Sequence, residues 1–420
     1  MTRPLLIIFL TIFVNLVGFG IIIPLLPFYA EHFGASPLVA TTLVSVYALC
    51  SLFSTPVIGR LSDQFGRRRL LLISQAGTCA GFLVLGFSEA LWMVFLGRIL
   101  DGLTAGNLST AQAYISDHTR PENRARAFGM IGIAFGIGFF FGPALAGWLS
   151  GYGLHWPFVV AACLSAGSMI CTYTLLEPGA AVTAETSAVP VAPGGKRPAV
   201  FDLSTYLEYF RRPGLGALYL QFFLFTFSFS AFMSGFALFA ERQFRTSDGH
   251  WWTSREVGYL FAYSGFLGII LQGGLIGRLV KRFGEAPLAL AGFVAAVVAY
   301  AVLGFTSTLP MLILVTTIAA FGHGVLRPVI TSEITQQVGR HEQGVALGIS
   351  GSLSSLAMTL APPTGGSLLQ QHWLVAWTLV PATAAALGLV AALVTRARRR
   401  AAPPTTAPPT TAPPIASAGS

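Results

Sequence analysis

Long apolar segments alternate with short polar segments along the whole chain. Each apolar segment is close to the ~20 residues that cross the hydrocarbon core of a bilayer as a helix. We identify twelve of them, at residues 5–30, 38–58, 70–88, 91–116, 126–150, 156–176, 214–240, 255–276, 286–306, 309–335, 343–369 and 373–395. The pattern predicts an all-α membrane protein with twelve transmembrane helices.

The chain contains two copies of one unit. GRLSDQFGRRR at 59–69 returns as GRLVKRFGEAP at 277–287, an offset of 218 positions. Such a long-range repeat in a membrane protein indicates two pseudo-symmetric six-helix halves. We assign residues 1–176 to the N-terminal half and residues 214–395 to the C-terminal half.

Two segments fall outside these halves. Residues 177–213 form a predicted cytoplasmic linker, and the apolar residues of FDLSTYLEYFRR at its end share one helical face, as in a helix that lies on the membrane surface. Residues 396–420 include APPTTAPPTTAPP, which cannot bury a core. This stretch predicts a disordered cytoplasmic tail.

Composition and charge agree with a membrane location. Hydrophobic residues make up 54% of the chain and charged residues 10%, and the mean hydropathy is +0.70. Of the 25 Lys and Arg residues, only Arg242, Arg245 and Arg255 fall in the loops on one side, and Arg98 and Arg327 lie inside spans. Basic loops stay in the cytoplasm, so both termini are predicted to be cytoplasmic. The net charge of +9 is thus a topology signal, and no nucleic-acid partner is expected.

Three motifs occur in order on this scaffold. GRLSDQFGRRR lies between spans two and three, RILDGLTAGN in span four and GFFFGPALAG in span five. Together they resemble the signature motifs of the major facilitator superfamily, over residues 1–395. GFGIIIPLLP, ISDHTRPENRARAFG and FGHGVLRPVITSEI are most similar to its tetracycline/proton antiporter group. The resemblance implies the major facilitator fold, a small-molecule substrate, coupling to protons and a location in a bacterial-type inner membrane.

The charged loop after span two is a candidate gating motif. Gly59 and Gly66 permit a tight turn, and Asp63 and Arg67 stand four residues apart. Asp117, at the cytoplasmic end of span four, is a natural partner for Arg67. We expect these residues to latch the cytoplasmic side, although the same charges could serve only to orient the protein.

The motif in span five combines Gly138, Gly142, Pro143 and Gly147. Small residues let helices approach closely, and proline bends a helix. The resemblance associates this motif with antiporters that export compounds. We expect a bent seam between the halves, and simple helix packing is the alternative.

An acidic residue, Asp101, lies near the middle of span four, where a carboxylate is costly unless it is paired or functional. Arg98 stands three residues earlier on the same helix and can pair with it. We interpret Asp101 and Arg98 as candidates for proton coupling, and a self-neutralising structural pair is the alternative. Glu333, at the end of span ten, is a further candidate.

Other polar residues inside spans are candidates for the substrate cavity. They are Asn15, Asn107, Gln112, Gln221, Gln272, His323 and Arg327. Arg327 could receive an anionic part of a substrate, whereas buried amides often only join helices through hydrogen bonds.

The combined features predict a monomeric secondary active transporter without a cofactor. It would export a small amphipathic or drug-like compound against an inward flow of protons. The tetracycline/proton antiporter pattern has three acids inside spans, one at the position of Asn15, one near Gly81 and one near Ala296. This chain has none of the three. Their loss leaves open an uncoupled facilitator or a lipid or glycolipid flippase. An enzyme is not expected, because the sequence offers no metal-ligand cluster, no nucleophile with a His partner and no phosphate loop.

The topology can be tested in a variant without the 4 native cysteines. A membrane-impermeant maleimide added outside should label Ser247→Cys in the loop 241–256, but not Ser187→Cys in the linker. Labelling of the linker position alone would reverse the predicted orientation.

Overall fold

A computed structural model describes the chain at residues 3–118, 121–176, 203–339 and 342–401. Within those ranges the chain folds into helices joined by short turns, and an isolated bridge pair joins Arg245 to Trp251. Most of the linker and residues 402–420 of the predicted tail lie outside the described residues, whereas residues 396–401, which were predicted to be disordered, continue the last helix.

Seven helices build the N-terminal half. They are α1 (Arg3–His32), α2 (Pro37–Phe65), α3 (Arg67–Gly86), α4 (Leu91–Leu103), α5 (Asn107–His118), α6 (Pro121–Ser150) and α7 (Trp156–Leu175).

The C-terminal half follows a short helix, α8 (Leu203–Arg211). Its helices are α9 (Leu215–Gln243), α10 (Ser254–Ile270), a π-helical segment (Leu271–Leu275), α11 (Ile276–Phe283), α12 (Glu285–Leu303), α13 (Leu309–Gln336), α14 (Gln343–Gln370) and α15 (Leu374–Ala401).

Eleven helices in the described ranges are long and apolar enough to cross a membrane, when α10 through α11 is counted as one. The remaining span is made by α4 and α5 together, because neither reaches membrane length alone. The predicted all-α, twelve-span architecture is therefore confirmed, with span four in two pieces.

The two copies of the repeat make the same turn. Gly66 separates α2 from α3 with φ of 94°, and Gly284 separates α11 from α12 with φ of 80°. A side chain would strain this backbone, so glycine permits both turns. The prediction that Gly59 shares in the turn is wrong, because α2 continues as a helix to Phe65. The carbonyl oxygen of Gly59 accepts a hydrogen bond from Ser62 Oγ at 2.6 Å within that helix.

The halves meet along two helix pairs, α2 with α14 and α6 with α10. Backbones approach closely there: a Cβ atom added to Gly258 would lie 2.6 Å from the carbonyl oxygen of Pro143, and one added to Gly366 would lie 2.0 Å from Thr41 Oγ1. Such contacts between small residues are a main means of joining helices in lipid.

The short helix α8 docks against the C-terminal half. Tyr209 is buried, and Tyr206 shares a 2.7 Å hydrogen bond with Ser352 of α14. Arg212 forms ion pairs of 2.9 Å with Glu208 and 3.0 Å with Glu342. The hydrogen bonds to Glu342 and Glu208 raise the pKa of Arg212. The end of the linker is thus tied to the half that it precedes.

The break in span four falls between Leu103 and Asn107 and is held by the neighbouring helix. Ser54 Oγ of α2 donates to the carbonyl oxygen of Gly102 at 2.6 Å, and Thr55 Oγ1 donates to that of Ala105 at 2.7 Å. Backbone that leaves the helical pattern inside a membrane must be satisfied by protein, and these hydroxyls satisfy it.

Replacing both hydroxyls, as Ser54→Ala with Thr55→Val, should therefore destabilise the fold. Interhelical hydrogen bonds in membranes are worth about 0.6–1.7 kcal/mol each, so we expect a loss of about 1–3 kcal/mol in the free energy of unfolding. Thermal or denaturant unfolding in micelles measures it.

Thr42→Val is the matched control, because the Thr42 hydroxyl bonds the carbonyl oxygen of Leu38 in its own helix at 2.7 Å. If both variants lost equal stability, the break would not depend on α2.

Candidate functional site

A buried ion pair lies directly before the break in span four. Arg98 is 1% exposed and Asp101 9% exposed, and Arg98 Nη1 lies 3.2 Å from Asp101 Oδ2. The guanidinium also stacks on Tyr47 of α2, 4.4 Å from the ring centroid. Its Nε has no hydrogen-bond partner among the described residues. Buried charges of this kind are expensive to maintain, which makes the pair a candidate functional centre.

Asp101 lies against Gly81 of α3. A Cβ atom added to Gly81 would lie 3.1 Å from Asp101 Cβ and 2.9 Å from the carbonyl oxygen of Gly97. An acidic side chain at position 81 would collide with Asp101. The carboxylate on α4 therefore stands beside the position where the family resemblance leads us to expect one on α3.

Two predicted cavity residues, Asn15 and Asn107, line a small polar space inside the N-terminal half. Asn107 is buried and donates through Nδ2 to Thr78 Oγ1 at 3.2 Å. The Thr78 hydroxyl lies beside the Asp101 carboxylate. Asn107 is thus connected to the Asp101 carboxylate through the Thr78 hydroxyl.

The charged loop after α2 contains the predicted contact between Asp63 and Arg67. Arg67 Nη1 lies 2.5 Å from Asp63 Oδ1, and it also donates to Ser62 Oγ at 2.6 Å. The Asp63 side chain is half-exposed. The side chain of Asp117 lies outside the described residues, so its predicted contact with Arg67 stays a prediction.

An ion-pair cluster on the opposite face joins the halves. Arg242, at the end of α9, binds Glu31 at the end of α1 over 2.6 Å, and it binds Glu241 over 3.2 Å. All three side chains are partly buried. The sequence pattern alone did not predict this cluster, although Arg242 on the predicted external side was a signal for it.

The glycine motif of α6 contacts both halves. A Cβ atom added to Gly138 or Gly142 would lie 2.6 Å from α1, at Leu16 Cβ or the Val17 carbonyl oxygen. One added to Gly147 would lie 2.9 Å from the carbonyl oxygen of Arg255 on α10. The helix continues through Pro143.

His323 and Arg327 lie one turn apart on α13 among aromatic rings. His323 is hydrogen-bonded to the Tyr300 hydroxyl, and its ring centroid lies 4.7 Å from that of Phe229. Arg327 is exposed, and its guanidinium carbon lies 5.1 Å from the ring centroid of Phe135 on α6. An exposed arginine at this depth does not face lipid, so Arg327 faces the space between the halves.

The remaining candidates are dispersed. Gln221 is buried inside the C-terminal half, where its Nε2 donates to Thr395 Oγ1 at 3.2 Å. It shares a cavity of about 40 Å³ with the buried Glu333, away from Asp101. Gln272 is exposed in the π-helical segment, and Gln112 is half-buried on α5. Among the described residues, no three His, Cys, Asp or Glu side chains are grouped to hold a metal.

The chain is similar in sequence to known membrane transport proteins. The family model described as Major Facilitator Superfamily matches residues 8–276 and 243–418. Tetracycline resistance protein, class B, of Escherichia coli is 32% identical over 359 residues, which cover 82% of this chain and 83% of that protein. Multidrug resistance protein 2 of Bacillus subtilis is 25% identical over 365 residues, which cover 85% of this chain and 86% of that protein.

A solved structure shares the fold. The human organic anion transporter MFSD10 (TETRAN) superimposes with a TM-score of 0.69 at 22% identity, and the match covers 94% of this chain and 99% of that one. The family model and the relatives extend over most of the chain and include the region of the three signature motifs. The chain therefore belongs to the major facilitator superfamily and is a multi-pass membrane transporter.

Proposed function

We propose that the protein exports a small amphipathic, drug-like compound in exchange for protons. The observation that carries this proposal is the buried pair of Arg98 and Asp101 beside the break in span four. It is supported by the names of the relatives, which are a tetracycline resistance protein and a multidrug resistance protein.

Coupling requires a carboxylate whose charge changes during the transport cycle. The protonation of Asp101 depends on its distance from Arg98 and on its access to water. Both quantities change if the short helices on either side of the break move relative to each other. Proton binding at Asp101 is thereby linked to the arrangement of the helices.

The missing acids do not favour an uncoupled facilitator or a flippase. The family pattern has an acid near the position of Gly81. Asp101 lies beside this position, because a Cβ atom added to Gly81 would be 3.1 Å from Asp101 Cβ. We infer that Asp101 performs the task of the missing carboxylate from the adjacent helix.

The substrate class follows from the space between the halves. Arg327 presents a positive charge there, and Phe135 offers an aromatic face. An amphipathic compound with an acidic group would use both, through an ion pair and through apolar contact.

Alternating access would be controlled at both faces. Asp63, Arg67 and Asp117 form the proposed cytoplasmic latch, and the cluster of Glu31, Glu241 and Arg242 forms the external one. We further propose that the protein acts as a monomer in a bacterial-type inner membrane. Both termini would lie in the cytoplasm, and the distribution of basic residues supports this orientation.

Asp101→Asn should abolish proton-driven accumulation and preserve some downhill movement, because the amide keeps the size of the side chain and removes its titration. Proteoliposomes with an acidic interior, supplied with tetracycline and separately with the cation ethidium, measure accumulation. Tetracycline, which carries acidic hydroxyls, should be the better substrate of the two.

Glu89→Gln is the matched control, since it makes the same chemical change at an exposed loop position. Accumulation by Asp101→Asn at the wild-type rate would reduce the ion pair to a structural element. If the wild-type protein accumulated substrate to the same extent with and without the pH gradient, transport would not be coupled to protons.

Glu31→Gln should weaken the external latch. Partly exposed ion pairs contribute up to about 1 kcal/mol, so the ratio of open to closed molecules on that face should rise about 2–5-fold. Spin labels at Glu89 and Ser307, in exposed loops of the two halves, report the separation by electron double resonance.

Glu208→Gln serves as the control, because Glu208 pairs with Arg212 at 2.9 Å without joining the halves. An unchanged distance distribution in Glu31→Gln would show that the ion pair does not hold the external face closed.

A further inference from the structure

A small polar space lies inside the N-terminal half, apart from the interface between the halves. Its lining includes Thr11 of α1, Gln75 and Thr78 of α3, Asn107 of α5 and Ser168 of α7. Its volume is about 10 Å³. This volume is at the lower limit for one ordered water molecule, which also needs two to four polar partners.

Two buried acceptors on its wall lack donors. Gln75 is 2% exposed and Asn107 5% exposed. Gln75 Oε1 and Asn107 Oδ1 have no hydrogen-bond partner among the described residues. A buried acceptor left in this state costs about 1–3 kcal/mol, and a water molecule can donate to both.

The space is connected to Asp101 on one side. Asn107 Nδ2 donates to Thr78 Oγ1 at 3.2 Å, and the Thr78 hydroxyl lies beside the Asp101 carboxylate. These contacts form a polar connection from the ion pair to the unpartnered amide oxygen of Asn107.

On the other side the connection continues toward the cytoplasmic face. Gln75 Nε2 lies within hydrogen-bond distance of three hydroxyl oxygens, which are Ser168 Oγ and Thr172 Oγ1, each at 3.0 Å, and Thr11 Oγ1 at 3.3 Å. Thr172 lies three residues before the end of α7 at Leu175. At 1.5 Å per residue, it is about 5 Å from the end of the helix.

We propose that this space holds ordered water, which completes a proton path between Asp101 and the cytoplasm inside the N-terminal half. This inference rests on the proposed function, since it requires Asp101 to carry the coupled proton.

The carboxyl group loses one O–H bond, and the proton passes along the Thr78 hydroxyl, the water, and the Thr11 and Thr172 hydroxyls, which lie 3.3 Å apart. Each of these groups gains one proton and releases another, while the amides of Gln75 and Asn107 only hold the water in place. The net result is one proton delivered to bulk water, by a route that avoids the substrate.

The water can be detected without a transport assay. Phe82 lines the space but is only 4% exposed. Pulsed X-rays create hydroxyl radicals from bound water, which label adjacent rings. Phe82 of the purified full-length protein should be labelled, and Gln75→Leu should reduce its labelling at least severalfold. Phe293, which is 0% exposed, is the unlabelled reference. Wild-type Phe82 labelled no faster than Phe293 would overturn the water site.

The proton path is tested in the same proteoliposomes with tetracycline. Gln75→Leu and Thr172→Val should slow proton-driven accumulation at least ~10-fold, because Gln75 positions the water, the Thr172 hydroxyl relays the proton, and positioned proton transfer contributes large factors to rate. Downhill tetracycline movement should stay at the wild-type rate. Thr226→Val is the control, since the buried Thr226 hydroxyl donates to the Phe222 carbonyl oxygen of its own helix at 2.8 Å and lies in the other half of the protein.

The outcomes separate this inference from the proposed function. If the wild type accumulates tetracycline, Asp101→Asn does not, and both path variants match the wild type, then the path is wrong and Asp101 remains the coupling group. If Asp101→Asn accumulates normally, the proposed function fails first. Should Gln75→Leu not fold, Thr172→Val decides the path alone, and wild-type labelling of Phe82 decides the water.

Discussion

The absence of water in the bilayer core is the constraint on which this structure depends. Each polar group that enters the hydrocarbon must find its partner within the protein. The N-terminal half meets this demand where span four breaks: Ser54 and Thr55 bind the freed carbonyl groups, and Arg98 binds Asp101. The irregular backbone and the buried charge lie together because each needs the same densely packed polar surroundings.

The two halves share a fold but differ in chemistry. Both enclose a small polar cavity between their first, third, fourth and sixth spans. In the N-terminal half the cavity adjoins Asp101, whereas in the C-terminal half it contains Glu333. In the part of the chain that the structure describes, Arg327 of the C-terminal half faces the space between the halves, whereas Arg98 of the N-terminal half is buried. Under the proposed function, the proton would bind in the N-terminal half, and the substrate would lie between Arg327 of the C-terminal half and Phe135 of the N-terminal half.

The sequence predicts what local chemistry determines. Twelve spans, two halves and the turn at Gly66 follow from apolar length, repetition and glycine conformation. The pairing of Arg98 with Asp101 follows from their spacing on one helix. In contrast, the free carbonyl groups at the break in span four accept hydrogen bonds from hydroxyl groups of α2, which lie 48 and 50 residues away in the chain. Asn107 and Gln221 are buried because of the way their helices are rotated about the helix axes. This rotation cannot be predicted from an apolar segment that has no clear polar face.

The relative strength of the contacts between the halves explains how one proton could move them. Contacts such as that of Gly258 with Pro143 fix the close approach of α6 and α10, because no side chain separates the backbones. The external cluster at Arg242 is partly exposed, and such ion pairs contribute only about 0–1 kcal/mol. A buried charge that loses its partner costs about 3–5 kcal/mol. Under the proposed function, loss of the Asp101 charge therefore changes the free energy by more than the external ion pair contributes, and neutralising that carboxylate would shift the equilibrium between the open and closed external face.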